Sequence, residues 1–540
     1  MATISKGSIP SSIPWAWGTD QAMTPDPSAK PLPYLIAALL LAFALYSFQG
    51  YYYKSTISSP TRLSHLNPRG PFDFTDTRPK KVFMTGAKEM IGSWFRENPD
   101  TPVRFISDSG ETLLLPPSMA NEVRSDPRLD LASWMYKRHH GHIPGFEGFG
   151  EGGSDSHVVQ AVITKDLTKY LNKVTEPLAE ETALAVAELL PTASAEDREW
   201  HTDALPFRET ALRLVARISS RVFLGKELCR NEAWLRITRN YTMDGFRASQ
   251  ELRMWPGPLR LIVHWFLPSC HKVRAYRQEA HRVIEPVLEA RHRLKQAGTK
   301  GEVFNDALEW FEQTSAGRRY DPVGAQLFIS VAAIHTTTDL LCQVLIDLVT
   351  HPNIIPPLRE EISGALREHG WKKTALHNMK LLDSVIKETQ RVKPIGVVVM
   401  NRRAQDDVTL SNGTKVRKDG NIAVSMHGCW DSEFYENPEK WDGYRFLRLR
   451  DTPGREHTAQ LVSTSPNHLG FGHGEHACPG RFFAAAEVKI TLVYLLLNYD
   501  WRLPEGVVPK IYSAGFGMGT DPFVKVQYRR REPEVDIASL

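Results

Sequence analysis

The sequence predicts a mainly α-helical protein with a minor β-sheet, preceded by a single N-terminal transmembrane helix. Three observations carry this prediction. Segments with the apolar spacing of long helices dominate residues 158–391. Shorter stretches rich in Val, Ile and Thr lie before and after them, as is typical of strands. An uncharged run near the N-terminus is long enough to cross a bilayer.

The uncharged run occupies residues 32–53. At 1.5 Å per residue it would form roughly 33 Å of helix. Tyrosines lie at both of its ends, where aromatic residues mark membrane interfaces. A secretory signal peptide fits poorly, because about 30 mostly polar residues precede the run and no small-residue cleavage site follows it. A buried core helix is the other alternative, but no polar face supports it.

Basic residues follow the run, while only Lys6 and Lys30 precede it. The positive-inside bias therefore predicts a single-pass protein whose large C-terminal part is cytosolic. We predict four regions: a short lumenal tail (1–31), a transmembrane anchor (32–53), a Pro/Gly-rich hinge (54–71) and one large domain (72–540).

Within the large domain we find no repeat and no second linker. The clearest predicted helices cover 168–190, 207–223, 273–295 and 325–350. The predicted strands cover 103–106, 397–400, 408–410, 422–426 and 523–528.

Composition excludes two classes of function. The net charge of +4, from 66 basic and 62 acidic residues, is too small to indicate nucleic-acid binding. The five cysteines are scattered and contain no C-x-x-C pair, which argues against a disulfide framework or a zinc site. This usage is typical of a reducing compartment.

Cys478 lies in a glycine-rich loop directly before an Ala-rich stretch that reads as a helix. The positive end of a helix favours a thiolate. A single thiolate on such a loop is suited to be an axial haem ligand. The alternative is an ordinary buried cysteine beside a glycine hairpin.

The segment 471–484 resembles the haem-binding loop of cytochromes P-450, F-x-x-G-x-[RH]-x-C-x-G-x-x-x-[AG]. Six positions match it: Phe471, Gly474, His476, Cys478, Gly480 and Ala484. The resemblance implies the P-450 fold and haem b, iron-protoporphyrin IX, as cofactor. It makes Cys478 the axial iron ligand and Phe471, Gly474, His476 and Gly480 cofactor-binding residues.

The segment 332–339 resembles the family's oxygen-activation motif, [AG]-G-x-[DE]-T-[TS]. The resemblance implies that Thr336 hydrogen-bonds bound oxygen and relays protons, a step that needs a positioned donor. His335 replaces the usual acid and could relay protons near neutral pH. The alternative for Thr336 is a hydrogen bond back to its own helix.

Glu388 and Arg391 form an E-x-x-R match, and i,i+3 spacing on a helix lets them pair. By the resemblance, Arg445 completes a triad that supports the haem loop structurally. The resemblance also makes Arg402 and His476 partners of the haem propionates. For a further propionate partner, Arg138 in a W-x-x-x-R match and Lys165 stay open. Arg138 runs into a non-helical loop, so we favour the helix predicted over 156–174.

Family position implies that mostly apolar residues line the substrate site: Phe146, Ile329, Ala333, Ile395, Val397, Val398 and Phe516. A bulky hydrophobic substrate follows. Residues 143–146 would belong to a substrate lid. The nearby His139, His140 and His142 lack the spacing of a metal site, and we expect them in a solvated loop.

The stretches 333–337, 400–403 and 461–470 are similar to fungal P-450s of terpenoid pathways, such as ent-kaurene oxidases and gibberellin or indole-diterpene oxidases. This implies a monooxygenase that oxidises a terpenoid or related secondary metabolite. O₂ and NADPH electrons would be used, delivered by NADPH–cytochrome P-450 reductase, with cytochrome b5 as an optional second donor. The endoplasmic reticulum membrane would be its location. Two alternatives stay open: a haem-thiolate isomerase or dehydratase, and a non-catalytic haem-binding membrane protein.

Overall fold

The computed structural model describes residues 33, 35–38, 40–41, 55–71, 73, 75–151, 158–190, 199–201, 203–297 and 304–537. The chain divides into two units, Met1–Tyr53 and Lys54–Leu540. The described residues of the first unit are helical and exposed, and they belong to the predicted anchor. The remainder of that anchor and the predicted lumenal tail lie outside the described residues.

Helices form most of the second unit. Those of eight or more residues are α1 (Thr77–Glu97), α2 (Leu131–Arg138), α3 (Leu171–Leu189), α4 (Phe207–Phe223), α5 (Glu232–Met254), α6 (Pro268–Gln296), α7 (Ala307–Ser315), α8 (Pro322–Thr350), α9 (Ile355–His369), α10 (Lys380–Val392) and α11 (Arg481–Asn498). Shorter α-helices cover Ala120–Val123, Glu147–Gly150, Val158–Ala161, Gly225–Leu228, Arg260–Val263, Lys373–Asn378 and Arg445–Arg450, and a π-helical turn covers Val162–Leu167.

Local sequence explains where several of these helices begin. Asp321 accepts a hydrogen bond from the Val323 N–H at 3.0 Å, and Pro322 occupies the first position of α8. Asn231 caps α5 in the same way. The predicted helix over 207–223 is confirmed as α4, and the other three predicted helices overlap α3, α6 and α8.

The strands form small sheets. They are β1 (Ile57–Ser58), β2 (Val103–Ser107), β3 (Gly110–Leu115), β4 (Leu129–Asp130), β5 (Val398–Ala404), β6 (Val408–Thr409), β7 (Lys415–Val416), β8 (Asn421–Ser425), β9 (Tyr499–Arg502), β10 (Ile511–Ala514), β11 (Gly517–Thr520) and β12 (Gln527–Arg530). The largest sheet has the order β2-β3-β8-β5-β4, in which only β3 and β8 run parallel. The strand predicted over 523–528 begins later, at Gln527, and pairs with β9.

The segment predicted as a hinge contributes to the second unit. Strand β1 pairs with β7, and Ile57 is buried in the apolar cluster beneath that sheet. The buried Asn67 amide donates to the Ile106 carbonyl at 2.7 Å and accepts from the Ile106 N–H at 2.7 Å. Residues 55–71 are therefore attached to the domain by a strand and by a buried side chain.

Helix α8 runs through the core and packs against α4, α5, α10 and α11. In the described parts of the chain it is the one helix long and apolar enough to cross a membrane, but 67% of its most apolar window is buried inside the protein. Such burial is typical of a core helix.

Candidate active site

The loop that leads to Cys478 is closed by backbone hydrogen bonds. The Cys478 N–H donates to the Phe471 carbonyl at 2.7 Å, and the Gly472 N–H donates to the Leu469 carbonyl at 2.7 Å. Gly474 has φ of 80°, and a Cβ built there would lie 2.4 Å from the Cβ of Arg124. Only glycine fits this position, because both its backbone conformation and the space around it exclude a side chain.

Cys478 lies directly before α11, and Gly480 is the N-cap residue of that helix. Burial raises the pKa of the Cys478 thiol, whereas hydrogen bonds from the N–H groups of Gly480 and Arg481 and the charge of Arg481 lower it. The sulfur thus receives donors from the positive end of a long helix, an arrangement that stabilises a thiolate or a metal–thiolate bond.

Helix α8 presents a strip of small and polar residues in its middle. Ala332 and Thr336, one turn apart, are exposed and Ala333 is half-buried, although α8 is otherwise almost entirely buried. Residues at i and i+4 share a helix face, so this strip borders space that is accessible to solvent. The Thr336 hydroxyl lies 2.9 Å from the Ala332 carbonyl and 3.2 Å from the Ala333 carbonyl, to which it can donate.

His335 connects α8 to α5. Its Nε2 lies 3.0 Å from the carbonyl oxygen of Arg239, and because a carbonyl only accepts, Nε2 carries the proton. Nδ1 is buried and has no hydrogen-bond partner among the described residues. Burial lowers the pKa of His335 to about 4, so the ring is neutral at physiological pH.

The structure brings Glu388, Arg391 and Arg445 together. Glu388 and Arg391 on α10 are fully buried and form a two-pronged ion pair, with both N–O distances at 2.8 Å. The Arg445 Nε lies 3.1 Å from both carboxylate oxygens of Glu388. Arg391 also donates to the carbonyls of Cys429 and Pro438, so the triad fixes the segment before the haem-loop motif to α10.

Arg402 is buried on β5 next to a β-bulge. The register of β5 against β8 shifts between Val399 and Arg402, and Met400 has φ of 54°. Bulges of this kind redirect side chains beside functional sites. The Arg402 Nη1 donates to the Asn401 carbonyl, but its Nε and Nη2 are buried without a partner in the part of the chain that is described. The charge of Arg402 lowers the pKa of the half-buried His476, after the larger effect of burial.

The two alternatives for a further cationic partner differ in their surroundings. The W-x-x-x-R match lies on a helix after all, because Asp130 caps α2 by accepting from the Ser133 N–H. Arg138 is held there by an ion pair with Asp108 at 2.7 Å. Lys165 lies exposed on the π-helical turn. The neighbouring Ile163 approaches Gly480.

The predicted substrate-lining residues fall into two groups and one outlier. Ile329 and Ala333 are one turn apart on α8, and the Val397 N–H donates to the Phe516 carbonyl at 2.9 Å. The backbone of Ile395 similarly contacts Met518, and Val398 is buried at the start of β5. Phe146, by contrast, is fully buried and packs against Phe149 in the helical core.

The histidine cluster is solvated only in part: His142 is exposed, as predicted, whereas the other two histidines are not. His139 and His140 are buried, and His139 stacks on Phe149 with ring centroids 5.4 Å apart. Burial, the largest cause, lowers the pKa of His140 to about 3. Across the described ranges, no group of three or more His, Cys, Asp or Glu side chains is arranged to hold a metal ion.

Two contributors to the site escaped the sequence reasoning. Arg481, three residues after Cys478, donates to the Cys478 carbonyl at 2.9 Å and to the Val462 carbonyl at 3.2 Å. Its place in the first turn after the cysteine was a usable signal. No sequence signal predicted the bulge at Met400, because methionine does not favour a positive φ.

Comparison with known proteins identifies the class. The family model for cytochrome P450 matches residues 154–525, and the chain belongs to the cytochrome P450 family. It is 48% identical to cytochrome P450 monooxygenase hepE of Aspergillus oryzae over 479 residues, covering 87% of this chain and 86% of that protein. It is 47% identical to cytochrome P450 monooxygenase TRI1 of Fusarium sporotrichioides over 468 residues (86% and 85%), and 46% identical to cytochrome P450 monooxygenase 1 of Gibberella fujikuroi over 445 residues (82% and 100%). The predicted resemblance to fungal P450 monooxygenases is confirmed, and the chain is an oxidoreductase of this class.

Haem b is the cofactor of this family, used with O₂ and with electrons that a reductase delivers from NADPH. The residues present fit it. The unpartnered Nε and Nη2 of Arg402 are suited to an anionic propionate, because buried donors need acceptors. Cys478 offers a sulfur ligand, and a Cβ built on Gly480 would meet only Ile163, at 4.0 Å.

Proposed function

We propose that this monooxygenase hydroxylates or multiply oxidises a bulky hydrophobic substrate, a terpenoid or a related fungal secondary metabolite, with Cys478 as the axial iron ligand. The observation that carries the proposal is the Cys478 sulfur at the N-terminus of α11, on a loop closed by the Cys478–Phe471 backbone hydrogen bond. Bound haem supplies the redox chemistry that activates dioxygen, and a thiolate ligand favours O–O cleavage.

Arg402 and His476 would bind the haem propionates in this proposal, and Phe471, Gly474 and Gly480 would shape the loop around the ring. The triad of Glu388, Arg391 and Arg445 supports the loop from behind and takes no part in proton transfer, since all of its donors and acceptors are already paired.

Thr336 is the group that we expect to deliver protons. Its hydroxyl faces the open strip of α8 and shares one proton between two helix carbonyls. Neither carbonyl depends on this hydrogen bond, so the hydroxyl can turn and give the proton to an acceptor beside Ala332 at little cost. A threonine used only for back-bonding does not need this exposure.

His335 would act as a neutral group. Its Nε2–H is committed to the Arg239 carbonyl, which leaves Nδ1 as an acceptor. We expect this buried, unpartnered nitrogen to accept from a proton donor that reaches it when α5 and α8 adjust locally, because a buried acceptor is costly when nothing donates to it. The charge change that a histidine offers near pH 7 is not used, since burial holds the pKa of His335 at about 4.

The nature of the substrate rests on the apolar residues at the family's substrate positions. Ala333 borders the open strip, Ile395 is exposed, and Phe516 is half-buried beside Val397. Such a lining selects hydrophobic molecules and offers few polar groups to orient them. Phe146 and the predicted lid would contribute through the packing beneath the site, because Phe146 itself is buried.

We further propose attachment to the endoplasmic reticulum membrane through residues 32–53, with a cytosolic catalytic domain and NADPH–cytochrome P450 reductase as electron donor, assisted by cytochrome b5. The helical, exposed residues of the first unit support a membrane anchor. A second support is the segment between α5 and α6, where the exposed side chains include Leu261, Ile262, Trp265 and Phe266. Clusters of exposed apolar residues mark contact with a membrane or a protein.

The test compares Cys478→Ser with Cys270→Ser, which alters a buried thiol in α6. In the wild type and the control, reduction under carbon monoxide should give the Soret band of thiolate-ligated haem, and Cys478→Ser should lose it.

With reductase and NADPH, a terpenoid substrate should gain oxygen. A product that forms without NADPH and without added oxygen would instead establish an isomerase or dehydratase. Binding spectra across a terpenoid panel would identify the substrate.

A further inference from the structure

Lys387 is a buried amine on α10, directly before Glu388, and burial lowers its pKa to about 7. The three carbonyls around its nitrogen require the protonated form, because a neutral amine has only two hydrogens to donate. Lys387 makes no ion pair among the residues that the structure describes. Its Nζ donates to three backbone carbonyls, those of Thr458 (2.9 Å), Gln460 (2.6 Å) and Ser463 (3.1 Å). An ammonium has three hydrogens, so each of them has an acceptor. The Phe446 ring lies 5.1 Å from the same nitrogen.

These carbonyls belong to residues 458–470, which we name the strap because it leads from the Arg445–Arg450 helix towards the haem loop. The strap contains no helix and only isolated bridges. Local backbone hydrogen bonds, such as Ser463 N–H to the Gln460 carbonyl, shape its turns, and side chains of α10 bind other backbone groups of residues 458–463. Asp383 on α10 accepts from the Leu461 N–H at 2.8 Å, and the Gln390 Oε1 lies 3.1 Å from the Nε2 of His468.

The strap continues into the Cys478 loop, where the Leu469 carbonyl accepts from the Gly472 N–H. Two further contacts involve side chains. The Val462 carbonyl accepts from Arg481 at 3.2 Å, and Arg481 donates to the Cys478 carbonyl at 2.9 Å. The Thr464 hydroxyl lies 3.0 Å from the Nδ1 of His473, within the loop itself. A shift of the strap at residues 458–463 would thus reach the Cys478 carbonyl most directly through the Arg481 side chain.

We propose that Lys387 is a positioning residue for the Cys478 sulfur: by gathering three carbonyls of the strap, its ammonium fixes the acceptor that orients Arg481. This inference rests on the proposal that Cys478 is the haem ligand. The role is separate from that of the Glu388 triad, whose arginines bind the carbonyls of an earlier segment, including Cys429, Glu436 and Pro438. Without the ammonium, three carbonyls would lose charge-assisted hydrogen bonds at once.

The experiment uses the full-length, haem-loaded protein and compares Lys387→Met with Arg359→Met. Arg359 is the control, because it also donates to backbone carbonyls, those of Leu496 and Tyr499, but at the distal end of α11, where it additionally pairs with Asp500 at 2.8 Å. Two quantities are measured: the rate at which the reduced carbon monoxide complex loses its thiolate-type Soret band, and peptide-level hydrogen exchange over the strap and residues 471–481.

Lys387→Met should lose the thiolate band at least about tenfold faster than wild type and exchange faster in both segments, while Arg359→Met should do neither. Lys387→Gln, which keeps two donors, should lie between and serves if the methionine variant does not fold. Unchanged band loss in the lysine variants, or equal loss in Arg359→Met, overturns the inference. Failure of the wild type to show the band would instead refute Cys478 as the ligand.

Discussion

Neutralising Glu388 should destabilise this protein far more than neutralising Glu361, a half-buried carboxylate beside the start of α10. Glu388 accepts from Arg391 through two bonds of 2.8 Å, from the Arg445 Nε, and from the Asp442 N–H at 3.1 Å. Glu388→Gln preserves the volume of the side chain. It removes the charge and turns one acceptor into a donor that faces guanidinium donors.

The magnitude follows from the burial of the pair. Glu388 and Arg391 have no solvent-exposed side-chain surface, and Arg445 is mostly buried. Removing one partner of such a pair leaves uncompensated charge in the interior, which costs about 3–5 kcal/mol. For a chain of this length we expect the midpoint of thermal unfolding to fall by roughly 5 °C.

Glu361→Gln is the matched control. Glu361 accepts from the N–H groups of Leu381 and Leu382 at 2.7 and 3.0 Å, where α10 begins. Burial raises the pKa of Glu361, so its charge is only partly stabilised, and a glutamine oxygen can still accept. We expect a loss of about 1 kcal/mol. Far-ultraviolet circular dichroism and the Soret band should be followed together during heating.

The result that would refute this reasoning is a Glu388→Gln protein that unfolds within about 1 kcal/mol of wild type, or a Glu361→Gln protein that is destabilised as much. Either would mean that the triad is replaceable and that its geometry does not measure its importance. Coincident loss of helicity and Soret band in Glu388→Gln would show that the loop and the domain unfold as one unit.

Three further outcomes are expected. Thr336→Ala should lower product formation about 100-fold while NADPH consumption continues. Thr338→Ala should leave product formation unchanged, because the Thr338 hydroxyl donates to the Ile334 carbonyl on a buried face of the helix. Arg402→Met should weaken haem retention about tenfold, whereas Arg403→Met, whose guanidinium pairs with Asp419 at the surface, should leave it unchanged. Stability should fall as pH drops from about 6.5 towards 4, because burial lowers the pKa of His335 and of His427 to about 4 and the unfolded chain therefore binds protons first. A histidine with this pKa shift lowers the free energy of unfolding by about 2 kcal/mol at pH 5. The stability of His335→Gln, measured by urea unfolding, should therefore depend less on pH than that of wild type. Equal pH dependence of the two proteins would contradict the role given to His335.

The elements that the sequence predicted well are those with local causes. Helix α4 begins and ends where its apolar period does, and Glu388 and Arg391 meet because i,i+3 spacing on a helix allows little else. The loop at Gly474 also has a local cause, because its positive φ favours glycine.

The failures have non-local causes. The burial of His139 and Phe146 depends on α5, about 100 residues away in the chain, whose Tyr241 hydroxyl donates to the Gly145 carbonyl at 2.8 Å. The W-x-x-x-R motif is helical, and Asp130 caps the helix that contains it. The histidine-rich sequence after the motif had indicated a loop. No local feature of the sequence predicted that Arg138 would form an ion pair with Asp108.

Buried polar groups in this domain differ in whether their atoms have hydrogen-bond partners. On α10, the polar ends of Lys387, Glu388 and Arg391 all have partners of suitable charge. Such fully satisfied groups rigidify a structure. Within the described part of the chain, the Nε and Nη2 of Arg402 and the Nδ1 of His335 are buried without partners, as are a number of atoms elsewhere, such as the Oγ of Ser363. An unpaired buried polar atom costs about 1–3 kcal/mol unless a ligand or a water supplies the missing partner. Under the proposed function, a propionate fills this role for Arg402 and a proton donor in the site fills it for His335. Under that proposal, variants at Arg402 and His335 should affect the haem and its chemistry, and variants at Glu388 and Arg391 should affect mainly the fold.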